Sequence, residues 1–211
     1  ELHNILYSKK EKVIVTSGPT SEYIDDVRMI TNRSSGKQGR ALAIELMSIG
    51  YNVVYIHSKD VPPVAGVKNI EFVTSKDLIN AMNSESSNLK HLFMVAAVSD
   101  FIIEKEDGKI NRNHGNLSLN LSPNIDIVKE YKLKNKDVNV ISFSAQTNNE
   151  LNYEKIIDKN SDFLVINNIN KNNFGSNENK VTIINKSELV YESQNENKHI
   201  IAQKIIKNTI L

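Results

Sequence analysis

No cysteine occurs in the 211 residues. Disulfides, thiolate zinc sites and a cysteine nucleophile are therefore excluded, and the composition is compatible with a reducing, cytoplasmic setting. Long apolar runs are also missing: no stretch approaches the roughly 18 residues that cross a bilayer, so no membrane partner is expected. The start, Glu1-Leu2-His3-Asn4, lacks the charged-then-apolar order of a secretory signal. It lacks an initiating Met as well, and the expectation is a single domain, 1–211, cut from a longer protein. Net charge is only +1, which argues against a nucleic-acid surface. Arginine is scarce: of 26 basic residues four are arginine, and Arg28, Arg33 and Arg40 fall close together. A chain that uses lysine almost everywhere can keep arginine where a planar fork must hold an anion.

What is present is ordinary for a globular domain, with 39% hydrophobic and 24% charged residues. Lys12–Ser17 reads as a buried strand that ends at Gly18-Pro19. Helical spacing resumes after Gly39, with Ala41, Leu42, Leu46 and Ile49 on one side and Gly50 as the stop. Further strands are expected at 51–57, 69–73, 92–98, 138–143, 163–166 and 181–184. Ser75 is expected to cap a helix through Met82, a second helix is expected at 149–159, and a third from Glu196. Leu117, Leu119 and Leu121 alternate with polar residues, as in a strand or ribbon with one wet face. Strands alternating with helices predict an α/β fold, a Rossmann-like, mostly parallel sheet with helices on both faces. Ligands of such sheets sit beyond the carboxyl ends of the strands. Those ends lead into residues 18–39, 98–116, 144–149 and 167–180, which hold nearly everything polar and unusual.

Familiar motifs fail. Gly36-Lys37 is not a P-loop, because Thr31 stands where glycine is needed and Gln38 where Ser or Thr is needed. The dinucleotide fingerprint fails too, since Gly18 is followed by Pro19-Thr20, and this disfavours an NAD(P)-dependent oxidoreductase. His57, His91 and His199 read as strand-end or surface histidines. What remains is Asn32-Arg33-Ser34-Ser35-Gly36-Lys37-Gln38-Gly39, leading straight into a helix. Backbone N–H groups at a helix start, hydroxyls and a lysine together make an anion site; the plain alternative is a capped helix with a basic first turn.

Ser17 to Glu22, Ile24 to Arg28 and Thr31 to Lys37 closely resemble phosphopantothenoylcysteine synthetases. The likeness continues at Ala96 to Phe101, Lys109 to Arg112, Ser122 to Ile125, Phe143 to Thr147, Asn167-Asn168 and Phe174 to Asn177. The resemblance implies a two-step ligation in coenzyme A biosynthesis. The carboxylate of 4'-phosphopantothenate attacks the nucleotide α-phosphate and releases pyrophosphate; the amine of L-cysteine then captures the acyl-nucleotide. The blocks look like the bacterial, CTP-dependent type, with Mg2+ on the phosphates. That domain is commonly fused behind a flavin-dependent decarboxylase; this domain itself is expected to carry no flavin, and without cysteine it cannot supply the decarboxylase's proton donor. A homodimer with shared active sites is implied as well.

Carried over residue by residue, the resemblance makes Asn32 the catalytic asparagine, a donor to the oxyanion formed as cysteine attacks, with a helix N-cap as the plain alternative. Arg28 becomes a substrate-handling arginine or else a surface ion pair. Lys109 becomes a flap lysine over the triphosphate, and Asn111 departs from a usual lysine beside it. Asp100, Phe143 and backbone at Met94, Val95 and Ala96 would contact CTP, as would Ser122, Pro123, Asn124 and Ile125. Lys155 and Lys159 would join them, or else form a solvated helix face. Gly18, Ser34, Ser35, Gly36 and Lys37 would form the phosphate and substrate loop. Gln146 and Asn168 replace common acidic residues, so no metal ligand is assigned. A nucleotide-binding module without chemistry stays open as the non-enzymatic alternative.

Overall fold

The computed structural model describes residues 11–146, 151–168 and 175–211. Strand β1 (Lys12–Ser17) leads into a hairpin of β2 (Ser21–Tyr23) and β3 (Met29–Thr31), then helix α1 (Lys37–Ser48). Next come β4 (Asn52–Ser58), β5 (Lys68–Phe72), α2 (Ser75–Ser84) and β6 (Leu89–Met94). A second hairpin, β7 (Phe101–Ile103) with β8 (Leu121–Pro123), precedes α3 (Ile127–Lys134), β9 (Asn139–Gln146) and α4 (Tyr153–Asp158). The chain closes with β10 (Phe163–Asn168), β11 (Glu178–Asn179), β12 (Val181–Asn185), β13 (Leu189–Glu192), β14 (Glu196–Asn197) and α5 (Lys198–Thr209).

The central sheet runs β13-β12-β10-β9-β6-β1-β4-β5. From β10 to β5 every pairing is parallel, while β12 and β13 join antiparallel at one edge. Counted in chain order the parallel part reads 3-2-1-4-5-6, so its direction reverses between β1 and β6, where an open α/β sheet makes its ligand crevice. Side chains alternate across the sheet. Val13 and Val15 pack with Leu42 and Leu46 of α1 and Ile201 and Ile205 of α5; Ile14 packs on the opposite face with Leu78 and Met82 of α2 and Tyr131 of α3. Each such fully buried side chain contributes about 1.5–3 kcal/mol.

Several expectations need correction. The run 92–98 is not one strand: β6 ends at Met94. The buried Thr16 hydroxyl accepts from the Val95 and Ala96 N–H groups at 3.0 and 3.1 Å, and Ala97 N–H donates to Gly18 O at 2.9 Å. These bonds bend the apolar segment across the end of β1. The cap of α2 is Thr74 rather than Ser75, in a reciprocal pair with Asp77. α1 begins at Lys37, before Gly39, and Ile49 lies beyond its end, 38% exposed. Of the alternating leucines only Leu121 falls in a strand, and Leu117, Leu119 and Leu121 are all exposed. The expected helix at 149–159 is α4, with Asn149 outside the described residues. Thr147 and Phe174 also lie outside them. The first hairpin, strand β7, α3, β11, β13 and β14 were not anticipated, and of the ribbon expected at Leu117 to Leu121 only β8 forms.

Candidate functional site

At the reversal point lies a cavity of about 370 Å³. One wall is the loop from Asn32 to Gly39; the other is Val95, Ala96 and Ala97 after β6 with Phe143 of β9. The loop is fixed at its base. Gly36 is the N-cap of α1 with φ 67°, a left-handed conformation that glycine adopts without strain, and its carbonyl accepts from the buried Ser17 hydroxyl at 2.8 Å. No side chain caps α1 and its first turn holds no acid, so its amide dipoles open onto the cavity. Cations gather there. Lys37 Nζ donates to Gly175 O at 2.6 Å and Asn177 Oδ1 at 2.9 Å. Lys198 Nζ, from the start of α5, donates to Ser176 O. Burial pushes the Lys198 pKa down, and neighbouring Lys37 lowers it further.

Asn32 ties the two walls together: its side-chain amide donates to Ala97 O at 3.1 Å and Val98 O at 3.0 Å. Both amide hydrogens are thus committed to carbonyls, and the carboxamide oxygen is the group left over.

A second polar cluster sits beyond the end of β6 and beside the last residues of β9. Lys155 Nζ donates to Ser144 Oγ at 2.8 Å, and Lys159 pairs with Asp126 at 2.8 Å. The Lys155 pKa is lowered, first by burial and then by Lys159, against the opposing pull of Asp100 and Asp126. Asn124 closes the cluster, taking Asp100 O with its N–H and Ser99 O with its side-chain amide. The alternation along β9 separates the two places: Phe143 faces the first cavity, and the next residue, Ser144, faces the lysines.

The third place is a cavity of about 560 Å³ that holds Lys109 and Asn111 among Ile24, Ile103, Leu117, Leu119 and Ser122. The flap here, residues 104–111, is joined to the loop after β2, and Arg28 pairs with buried Asp25 there.

Residues 8–210 match the family described as DNA/pantothenate metabolism flavoprotein C-terminal domain. The chain belongs to that family. This bears out the resemblance drawn from the sequence motifs. Among curated relatives of the family domain is the "Coenzyme A biosynthesis bifunctional protein CoaBC" of Methanocaldococcus jannaschii, 30% identical over 215 residues, covering 98% of this chain and 52% of that one. The chain spans about half the length of the curated relatives it matches. A crystal structure of the C-terminal domain of a CoaBC superposes with TM-score 0.77 at 27% identity, covering 94% of each chain. A Cab2 mutant complexed with phosphopantothenate-cysteine shares the fold, with TM-score 0.75 at 18% identity over 97% of this chain and 89% of that one.

The family motifs therefore fall in three places. Asn32, Ser34, Ser35, Gly36, Lys37, Val95, Ala96 and Phe143 line the first cavity. Asp100, Asn124, Lys155 and Lys159 meet in the second cluster, beside Pro123 and Ile125 of the β8 end, while Ser122 lines the third. Lys109 stands in the third. Met94 is buried in the sheet and Gly18 supports the Ala97 turn; neither lines a cavity described above. The N-cap alternative for Asn32 is overturned, since Gly36 holds that position. The solvated-face alternative for Lys155 and Lys159 fails as well, because both are partnered inward. The histidines have structural partners: His57 stacks on Tyr55, His91 meets Glu11 and His199 meets Glu45. Lys198 was missed. Its signal was available, a lysine at a helix start where the macrodipole disfavours a cation unless something anionic offsets it. Among the described residues no helix is long and apolar enough to cross a membrane.

Proposed function

We propose that this chain is a phosphopantothenate–cysteine ligase of coenzyme A biosynthesis, joining 4'-phosphopantothenate to L-cysteine at the expense of CTP. The observation that carries the reading is the reversal-point cavity, with an uncapped helix start, two lysines and the Asn32 tie in one wall and an apolar turn in the other. That is a site for an anionic substrate with an apolar body. Family membership and the phosphopantothenate-cysteine held by the Cab2 neighbour support the substrate class.

In this reading the phosphate oxygens replace the Gly175–Asn177 carbonyls as partners of Lys37 and Lys198. Lys155, Lys159 and Asp100 hold the nucleotide, and Phe143 covers its edge of the cavity. The substrate carboxylate attacks the α-phosphorus of CTP and pyrophosphate leaves. The cysteine amine then attacks the acyl carbon, CMP departs with the C–O bond electrons, and the ammonium proton is lost to solvent. For Asn32 to donate to the oxyanion of that step, one of its two carbonyl bonds must open; until then the tie holds the walls at fixed separation.

Magnesium is the proposed counterion of the triphosphate. Among the described residues no three His, Cys, Asp or Glu side chains gather into a metal site, so its oxygen ligands would come from the phosphates and water, with Asp100 and Asp126 the carboxylates of the nucleotide cluster. Bound there it would neutralise phosphate charge.

A homodimer is proposed on the exposed apolar residues of the second hairpin and its surroundings, Phe101, Leu117, Leu121 and Ile125. In it the flap of one subunit would serve the cavity of the next. A decarboxylase domain in the same polypeptide is proposed from the half-length match to bifunctional relatives.

The test is pyrophosphate release with 4'-phosphopantothenate, cysteine and either CTP or ATP, on protein whose mass is measured by sedimentation. Turnover needing all three substrates and faster with CTP is expected. Equal turnover with ATP would overturn the nucleotide choice, a monomer with full turnover would overturn the dimer, and no release with either nucleotide would overturn the ligase reading.

A further inference from the structure

The loop after β2 carries two consecutive carboxylates whose places differ. Asp25 is buried, whereas Asp26 is exposed. A buried carboxylate is tolerated only when its lone pairs are filled, and those of Asp25 are filled in two directions. Oδ1 accepts from Val27 N–H at 2.9 Å and Arg28 N–H at 2.7 Å, which closes the local turn. Oδ2 accepts from Ile110 N–H at 3.0 Å and from the Arg28 guanidinium, through Nε at 3.0 Å and through Nη2. The same Nη2 donates to Ile110 O at 2.8 Å. Asp26 repeats the pattern one step away: its Oδ2 accepts from Gly108 N–H at 3.0 Å, its own N–H donates to Gly108 O at 3.1 Å, and its carboxylate pairs with Lys105 at 2.5 Å.

Lys109 therefore stands between two residues, Gly108 and Ile110, each held at both its N–H and its C=O by one short loop. Glu106 N–H adds a bond to Ile24 O of the same loop at 2.9 Å, while a Cβ placed on Gly108 would meet no atom within 4 Å, so there the backbone faces open space. Arg28 is engaged below the flap, with its guanidinium on Asp25 and Ile110, rather than in the reversal-point cavity.

We propose that Asp25 and Asp26 are positioning residues that latch the flap and so set the place of Lys109, and that Arg28 acts through this latch. The proposal deepens the ligase reading and rests on it for what Lys109 does, but the latch itself is a statement about the flap alone. The Arg28 guanidinium holds the Asp25 carboxyl well below the usual carboxylate range, so the latch is charged at neutral pH.

Asp25→Asn separates the two directions. Its remaining oxygen still closes the turn with Val27 and Arg28, while its NH2 now confronts the Ile110 N–H and the guanidinium, donor against donor. The flap contains two tryptic sites, Lys105 and Lys109, and Arg112 follows directly after it. Limited trypsinolysis of the whole chain should cut at these sites about tenfold faster in Asp25→Asn than in the parent, since cleavage reads the local opening. Asp26→Asn, whose site is exposed and whose fold is not at risk, should accelerate the same cuts by a few-fold. In turnover, Asp25→Asn should lower the same kinetic parameter as Lys109→Ala, and the double variant should be no worse than the poorer single one.

Parent-like cleavage in both Asp variants would overturn the latch, whatever their activity. Independent, multiplicative losses in the double variant would overturn its action through Lys109. If the parent releases no pyrophosphate at all, the ligase reading fails, and the proteolysis comparison still decides the latch by itself. Should Asp25→Asn fail to fold, the Asp26→Asn cleavage rate decides it.

Discussion

Gly39 offers the sharpest test of how α1 is seated. It lies in the first turn of α1 directly over the end of β1, and a Cβ built on it would stand 2.6 Å from Ser17 Oγ, 2.7 Å from Ser17 Cβ and 2.9 Å from Thr16 O. The serine hydroxyl could swing away, at the loss of its bond to Gly36 O. The Thr16 carbonyl cannot, because Thr16 is fully buried in the sheet between Ile56 on β4 and Met94 on β6. Relief must come from α1 moving outward. Overpacking of this kind costs about 1–3 kcal/mol, and replacing a helical glycine by alanine returns about 0.8–1 kcal/mol. The mid-range values differ by about 1 kcal/mol, so Gly39→Ala should be destabilised by about that much and its melting temperature should fall by about 2–4 °C for a chain of this size. The larger effect belongs to the site. The anion loop rides on α1, and a displacement on the order of 1 Å can cost about a hundredfold in rate. Thermal melting and kcat/KM with 4'-phosphopantothenate measure both. A Gly39→Ala protein that melts at or above the parent temperature would mean that propensity outweighs the contact and that α1 is not seated on β1 as described.

The phenol oxygen of Tyr131 is buried and has no hydrogen-bond partner among the described residues, so Tyr131→Phe should raise stability by about 1 kcal/mol in urea unfolding; a loss would reveal a partner. Burial pushes the Tyr55 and Tyr131 phenols up to about 12 from an ordinary 10.0, so the unfolded chain sheds these protons first. Their contribution is whole below pH 10.0 and lost as pH rises through about 12, and a urea midpoint flat across that window would refute the burial of both phenols. Lys198→Ala should weaken 4'-phosphopantothenate binding by about tenfold in calorimetry with the melting temperature nearly unchanged, and unchanged affinity would remove Lys198 from the site.

The parallel core was legible because its rules are local. Val13 to Val15 form an unbroken apolar run, as strands covered on both faces do, and α1 and α5 show helical stripes. What escaped is what local pattern does not encode. The run 92–98 is apolar throughout, so nothing in it marks the bend at Met94; the bend is imposed by a hydroxyl 78 residues away, on Thr16. α3 was overlooked because its helix is short and lysine-rich, although Asp126 is a plain N-cap; buried Lys132 is made tolerable by acceptors at Lys136, Val138 and Asp162, all three beyond its own helix in the segments that lead into β9 and β10. Lys198 lies 161 residues after Lys37, and no spacing rule connects them.

The same distinction explains Asn32. Motif likeness assigns it a donor's role, and its residue type also suits a helix cap. The chain gives the cap to Gly36, whose left-handed backbone turns the loop sharply into α1. Asn32 is thereby left four residues upstream, opposite the carbonyls of Ala97 and Val98, which the bend after β6 has turned outward. Those two carbonyls belong to the segment that follows β6, on the far side of the reversal point. One carboxamide therefore spans the crevice that the sheet topology creates, and the spacing of the walls depends on it. A donor held by two acceptors is well ordered but occupied, so any use of it in chemistry requires that a bound substrate offer a better acceptor than a neutral carbonyl. An anionic oxygen does, since a hydrogen bond to a charged acceptor is roughly twice as strong. In the proposed reaction the oxyanion formed on the acyl carbon would be such an acceptor, whereas the neutral acyl carbonyl before attack would not.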